Sequence, residues 1–560
     1  MDNYQIADSF SLLAKLLDIH GENSFKSKSY AAAAFAIEKL TTPLNEIPRE
    51  KISSIKGIGD SSARKIIEIL ETGKLQNLEE IISKTPPGVV EMLNIKGIGP
   101  KKIHTIWKEM ELESIGELLY ACKENRLKLY KGFGEKTQQS VLENIEFYFK
   151  SKGSFLYAQV ATIAPVIQNF FEKLFPSKRI EITGAFKRQM EIINELEFVI
   201  EETLTIIENT LQNTEGFELV EKDKDTIVFK SSNGIIIKIY ACTSANFIHT
   251  LVATSSSEEF NNSINEKFPL LASSNAISEV EYFSAIGINM IVSPLRETAK
   301  IVEMAEKGKI PTLIQPADIR GIIHCHSNWS DGSNTLEEMA QAAINRGLEY
   351  LVISDHSKSA FYAQGLQEEK IREQHLYIDE LNQKLHPFKI FKSIESDILN
   401  DGNLDYADGI LAGFDLVIAS VHSNLKMSEE KAMMRLIKAI ENPYTTILGH
   451  MTGRLLLSRP GYPVNHDAII DACAANHVVI ELNAHPSRLD IDWRHIQKAL
   501  AKKVLISIDP DSHHTDGLDD TRFGVMVAQK AMVTKMDNLS SYSLEAFEKF
   551  ITERKKLKGI

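Results

Sequence analysis

The chain has 560 residues, 43% of them hydrophobic, and a formal net charge of −13. No apolar run reads as long enough to cross a bilayer and no signal peptide is recognised, so a cytoplasmic protein with no membrane partner is expected. Cys122, Cys242, Cys325 and Cys473 are scattered with no Cys-x-x-Cys, and they read as reduced thiols rather than a disulfide framework. The length calls for several domains, and a monomer is the expected form.

Residues 1–45 read as helices: Ile6, Phe10, Leu13, Leu16 and Leu17 fall near helical spacing, and Tyr30 to Leu40 is alanine-rich. Three near-repeats follow. Ile55-Lys56-Gly57-Ile58-Gly59 opens a helix to about Leu70. Ile95-Lys96-Gly97-Ile98-Gly99 opens one to about Met110, and Tyr130-Lys131-Gly132-Phe133-Gly134 one to about Phe149. The glycines permit a tight turn, and the first N–H groups of each helix then face outward. That makes a nest for a phosphate of a nucleic-acid backbone. Residues 1–150 carry 21 basic and 21 acidic side chains, so the grip would come from oriented amides rather than bulk charge. The repeats resemble helix-hairpin-helix motifs, which bind DNA without reading sequence. Gly57, Gly59, Gly97, Gly99, Gly132, Gly134, Lys56 and Lys96 are the candidate DNA contacts. Lys65, in the helix of the first repeat, matches the Schiff-base lysine of the 5′-deoxyribose-phosphate lyase in related polymerases. Read from its neighbours alone, it is a solvated helix lysine.

Residues 151–315 form a second region. Ile180 to Thr183 is a strand, Gly184 to Arg188 a turn, and Glu195 to Ile200 a strand again, with Glu195 and Glu197 on one face. The placement resembles the palm of family X DNA polymerases, where Gly-Ser-x-x-Arg precedes Asp-x-Asp. Gly184 and Arg188 match, but Ala185 replaces the serine. Glu195 and Glu197 replace the aspartates, each one methylene longer. Lys238, on the strand Gly234 to Tyr240, stands where a third carboxylate belongs, and a protonated lysine cannot coordinate. The sugar-contacting segment reads Ala253-Thr254-Ser255-Ser256. The expectation is a degenerate nucleotidyltransferase-like palm and thumb, a relic or DNA-binding scaffold in which Mg²⁺ is not expected.

Residues 316–560 alternate apolar β-like runs with helical segments, and each run ends in a metal-type side chain. Gly321 to Ile323 leads to His324-Cys325-His326, where strand alternation sets both histidines on one side. Asp331 follows in a turn, and Thr335-Leu336-Glu337-Glu338 reads as a capping box. Leu351 to Ser354 leads to Asp355-His356, Ile390 to Ile394 to Glu395 and Asp397, Leu416 to Val421 to His422, Thr446 to Gly449 to His450, and Val504 to Ile508 to Asp509, Asp511 and His513. Imidazoles and carboxylates at strand ends suit Zn²⁺ or Mn²⁺ at a barrel mouth. These motifs resemble the PHP (polymerase and histidinol phosphatase) domain, a distorted β/α barrel holding three metal ions. The resemblance implies that His324, His326, Glu395 and Asp511 hold one ion, Glu395, His422 and His450 a second, and Asp331, His356 and His513 a third. Glu395, His422 and Asp511 are then catalytic, and Arg454 and Arg488 are candidates to hold phosphate in a forked contact.

Taken together, the whole chain resembles the bacterial and archaeal PolX proteins: an all-α helix-hairpin-helix region (1–150), an α+β palm and thumb (151–315) and a PHP barrel (316–560). That implies a DNA-repair protein acting on gapped, nicked or 3′-ended DNA. The implied activity is that of a metal-dependent 3′-5′ exonuclease, with apurinic-site endonuclease or 3′-phosphatase chemistry open at the same site. Two alternatives remain open at this level: a gap-filling polymerase with PHP proofreading, and a non-catalytic DNA-binding scaffold.

Overall fold

The glycine-punctuated helices of the N-terminal third and the strand–helix alternation of the C-terminal half both take shape in the computed structural model, which describes residues 3–40, 42–232, 234–269 and 276–560. The chain divides into two compact units, Met1–Tyr148 and Phe149–Ile560. The first is helical. Helices Asn3–Ile19 and Ser24–Glu38 pack together, with Ile6, Phe10 and Leu16 fully buried and Phe10 edge-on to Tyr30. The repeats open helices Asp60–Thr72, Pro100–Lys108 and Glu135–Lys152. Their leading glycines Gly57, Gly97 and Gly132 have φ of 96°, 88° and 93°, values an L side chain rarely adopts. The glycine that starts each of the first two helices, Gly59 or Gly99, carries no side-chain cap.

In the second unit, β1 (Phe155–Leu156) pairs with β3 (Ile192–Ile193). A five-stranded sheet holds β2 (Ile180–Thr183), β4 (Glu195–Ile200), β5 (Phe217–Lys222), β6 (Thr226–Ser231) and β7 (Ile236–Ala241) in the order β2-β4-β7-β6-β5. Only β4 and β7 run parallel. Phe171, Phe198 and Phe229 fill one side of this sheet.

The remainder is a parallel sheet in sequential order: β8 (Gly321–Cys325), β9 (Tyr350–Ile353), β10 (Lys389–Asp397), β11 (Leu416–Ser420), β12 (Thr445–Leu448), β13 (Val479–Asn483) and β14 (Ile506–Asp509). β10 spans two neighbours, pairing with β9 through Lys389 to Lys392 and with β11 through Ser393 to Asp397. Beyond β14, Ser512 bridges back to Cys325 and accepts from the His326 amide at 2.8 Å, so the sheet nearly closes into a barrel. Ile323, Tyr350, Val352, Phe391, Ile418 and Ile447 share one cluster with Phe547 and Ile551 of helix Leu544–Lys558. That helix lies across the strands' starting ends: Lys389 pairs with Glu548, Lys555 bonds Phe414 O, and Arg554 bonds Thr445 O. One end of the barrel is therefore sealed, and only the end carrying the polar side chains remains for chemistry. Thr335 caps helix Leu336–Asn345 in a capping box with Glu338, as the sequence indicates.

The flat alternation expected for His324 and His326 does not hold. The β8–β9 register shifts between Ile322 and Cys325, and His324 has φ 61°. A bulge, not a regular pleat, turns both imidazoles to the same end.

Tight packing at the sealed end gives a stability prediction. A Cβ on Gly321 would lie 2.1 Å from the Tyr350 ring, which is itself stacked on Phe547 at 4.5 Å. Gly321→Ala should destabilise the barrel by about 1–3 kcal/mol, read as a lower unfolding temperature by calorimetry. Gly409→Ala, where nothing lies within 4 Å, should show no such loss.

Candidate metal centre

Glu395 sits near the end of β10 with no exposed surface. Five imidazoles surround its carboxylate. Oε1 is 3.0 Å from His450 Nε2, 3.1 Å from His422 Nε2 and 3.3 Å from His324 Nε2; Oε2 is 3.0 Å from His356 Nδ1 and 3.7 Å from His326 Nε2. Asp511 Oδ1 adds contacts of 3.1 Å to His326 and 3.4 Å to His324. Asp331 approaches His356 Nε2 at 3.6 Å and His513 Nε2 at 3.4 Å. All nine residues named from the sequence thus stand at one mouth, His324 and Glu395 within the last residues of β8 and β10 and the others in the segments that follow the strands. His324 and Asp511 both adopt left-handed backbone, φ 61° and 51°. Such strain costs about 1–3 kcal/mol per residue and persists only where the surroundings fix it.

The donor atoms fall into three compact groups: His324, His326, Glu395 and Asp511; His356, Glu395 and His422; and His326, Asp331, His356 and His513. The first is the set expected for one ion. In the others His326 and His356 are shared, and His450 joins through Glu395. This donor set fits divalent transition cations. His324 Nε2 is buried without a hydrogen-bond partner while facing two carboxylate oxygens. The charges are strongly interdependent. Burial alone would raise the Glu395 pKa, but His422, His324 and His356 hold it well below the ordinary range. Burial would lower His422, yet Glu395 and Asp397 lift it to about 10. Burial and the neighbouring His513 and His356, whose rings lie 4.2 and 4.4 Å away, push His326 down to about 3, the neutral form that coordinates.

Two supporting residues, Glu481 and Asn483, escaped the sequence reading, while Asp355 and Asp397, named there at strand ends, support the site without being among the nine. Glu481 and Asn483 project from β13 beside His324, His450 and Asp511. Their signal was Glu-x-Asn inside an otherwise apolar strand, two polar side chains on one face. Asp355 gathers the loop after β8 by accepting from Ser327 N, Ser327 Oγ and Ser330 Oγ, and from Gln374 Nε2. Asp397 accepts from His422 Nδ1 at 2.5 Å.

Arg454 is partly committed to the protein itself. Its guanidinium donates to Arg488 O, Leu489 O and Asp492 Oδ2. These contacts use one N–H on each of its three nitrogens. Arg488, nearly buried, has Nε 3.8 Å from Asp511 Oδ2 and remains beside the centre.

The five-stranded sheet is different. Glu197 is buried, and its two oxygens are taken by the Ala185 amide (3.0 Å) and the Tyr240 hydroxyl (2.8 Å). Burial, against those two bonds, raises its pKa. Its carboxylate fills the space over Gly184, where a Cβ would meet Oε1 at 1.6 Å. Lys238 pairs in register with Glu197, and its Nζ is 3.7 Å from Glu195. Arg188 is bound to Glu297 at 3.2 Å and to Ser256 O. Among the described residues no group of three metal-type donors lies in this sheet. In the helical unit Lys56 and Lys96 are exposed beside their glycines, and Lys65 donates to Asn77 Oδ1.

A nearly closed parallel barrel with histidines and carboxylates at its one open end, joined to glycine-punctuated helical hairpins, defines a PHP-domain protein with helix-hairpin-helix modules. The family comparisons agree: the chain matches the helix-hairpin-helix domain over residues 1–75, the SAM-like helix-hairpin-helix tandem over 89–146 and the PHP domain over 323–485. It is 30% identical over 558 residues to the "DNA polymerase/3'-5' exonuclease PolX" of Bacillus subtilis (strain 168), covering 96% of this chain and 97% of that one, and it belongs to the PolX family. It is also 26% identical over 251 residues to a "Probable phosphatase" of Thermoanaerobacter sp. (strain X514), over 42% of this chain and 96% of that protein. A "Probable phosphatase" of Caldanaerobacter subterraneus is 30% identical over 169 residues, 29% of this chain and 60% of that protein. Among the described residues no helix is long and apolar enough to cross a membrane.

Two of the three donor groups share Glu395. Glu395→Gln should therefore retain cation only at the Asp331 group and bind fewer equivalents than the unsubstituted chain. Elemental analysis by plasma mass spectrometry after desalting from Mn²⁺ or Zn²⁺ checks this.

Proposed function

We propose that this chain is a DNA-repair phosphoesterase whose barrel, residues 316–560, removes nucleotides from 3′ ends with divalent cations held at its mouth. The observation that carries this reading is the ring of five imidazoles on Glu395, completed by Asp511, Asp331 and His513. Zn²⁺ or Mn²⁺ there, in up to three places, would supply an acidified water and charge neutralisation for an in-line attack on phosphorus. The protein's own part is to fix the donors and exclude bulk water from all but one side. Arg488 stands close enough to Asp511 to hold a phosphate oxygen. The relatives' names, a "DNA polymerase/3'-5' exonuclease" over the full length and a "Probable phosphatase" over the barrel, support phosphate-ester hydrolysis there. Exonuclease, 3′-phosphatase and abasic-site cleavage differ in which ester enters.

Residues 1–150 would hold gapped or nicked DNA through the hairpin glycines and Lys56 and Lys96, independently of sequence. Residues 151–315 would serve as scaffold, because Glu197 is already satisfied by Ala185 and Tyr240 and Lys238 stands beside Glu195. Lys65, hydrogen-bonded to Asn77, would be a solvated helix lysine rather than a Schiff-base nucleophile.

A labelled gapped duplex incubated with Mn²⁺ and all four nucleotides tests the whole reading. Shortening of the 3′-ended strand is expected, and both chelation and His422→Ala should abolish it. Extension that depends on Glu197 would show the palm to be active and overturn its assignment as scaffold. Borohydride with an incised abasic duplex should trap no adduct at Lys65.

A further inference from the structure

We propose that Glu481 is a positioning residue that fixes which nitrogen of His324 faces the cation and, through its second oxygen, sets His450 as well. The proposal rests on the reading that the mouth holds cations. Glu481 lies on β13, fully buried, and is not one of the nine candidate ligands. Oε1 is hydrogen-bonded to His324 Nδ1, and Oε2 accepts the His450 backbone amide at 2.5 Å. Asn483, two residues on and therefore on the same face, donates to Glu481 Oε2 at 3.3 Å and to Asp511 Oδ2 at 3.0 Å. Three candidate ligands, from β8 and from the segments after β12 and β14, are thus gauged against one strand.

The chemistry of the contact makes it directional. A neutral imidazole has one N–H and one lone pair. An ionised carboxylate only accepts, so with Glu481 against Nδ1 the proton stays on Nδ1. The lone pair is then on Nε2, the atom that faces Glu395 Oε1 at 3.3 Å and Asp511 Oδ1 at 3.4 Å. The same carboxylate can take the His450 N–H because it has a second acceptor oxygen. A carboxamide of equal shape cannot do both. With its NH₂ toward His324 it donates to Nδ1 and moves the imidazole proton to Nε2, aimed at the cation. With its NH₂ toward His450 it sets two donors against each other. Glu481→Gln preserves volume and so separates this role from packing.

The test is a chelator-competition titration of the full-length apo protein with Mn²⁺ and Zn²⁺, alongside its thermal unfolding without metal. Glu481→Gln is expected to weaken the site containing His324 by about 10–100-fold, with the apo unfolding temperature little changed and the Asp331 group still loaded. Glu481→Asp keeps the charge but cannot span both partners, and an affinity between the two is expected. It carries the test if the glutamine variant does not fold. Wild-type affinity in Glu481→Gln, or a loss confined to apo stability, overturns the proposal while leaving the metal reading intact. An unsubstituted chain that binds no cation at all overturns both.

Discussion

One buried carboxylate with five imidazoles around it is the constraint on which the C-terminal half depends. Glu395 and its partners have almost no contact with solvent. Charges and lone pairs taken that far from water must be compensated by one another or by cations. The barrel provides this by ending each strand at the same rim. β10 is long enough to pair with β9 first and β11 afterwards, which carries Glu395 to the centre of that rim. The bulge at His324 and the left-handed turn at Asp511 then bring two further donors inward at a backbone cost. The C-terminal helix closes the opposite end, so that cost is met by a large apolar core below the site.

The two carboxylate-bearing sheets of the second unit resolve the same problem in opposite ways. In the barrel, carboxylates are crowded by imidazoles and by each other. In the five-stranded sheet, Glu197 accepts hydrogen bonds from an amide and a phenol, and a lysine stands next to Glu195. That sheet is nonetheless tied to the barrel. Lys530, fully buried on the barrel side, donates to Arg188 O at 2.7 Å and to Glu297 at 2.8 Å, and Arg188 pairs with the same Glu297. Arg188 is therefore part of a half-buried polar strut between the two sheets.

Much of this was legible because apolar runs ending in His, Asp or Glu are rare by chance, and strand ends in a parallel barrel share one rim. The hairpins were legible from paired glycines, since a φ near 90° leaves few other choices. What stayed hidden had at most a faint local signature. Glu481 sits in the middle of an apolar strand and acquires meaning only when β8 and β12 come alongside. The bulge at His324 preserves the outcome expected from alternation while breaking its cause. Arg454 was a candidate phosphate contact, and the chain that folds back through Arg488 to Asp492 engages part of its guanidinium. Long-range contacts decide such cases, and a single sequence does not print them.

The most direct measurement is anomalous X-ray scattering from crystals of the full-length chain grown with Mn²⁺. The account predicts peaks at the barrel mouth within bonding distance of His324, Glu395, His422 and Asp511, and none between Glu195 and Glu197. Peaks confined to the palm sheet, or a metal-soaked crystal with no peak at the mouth, would contradict it.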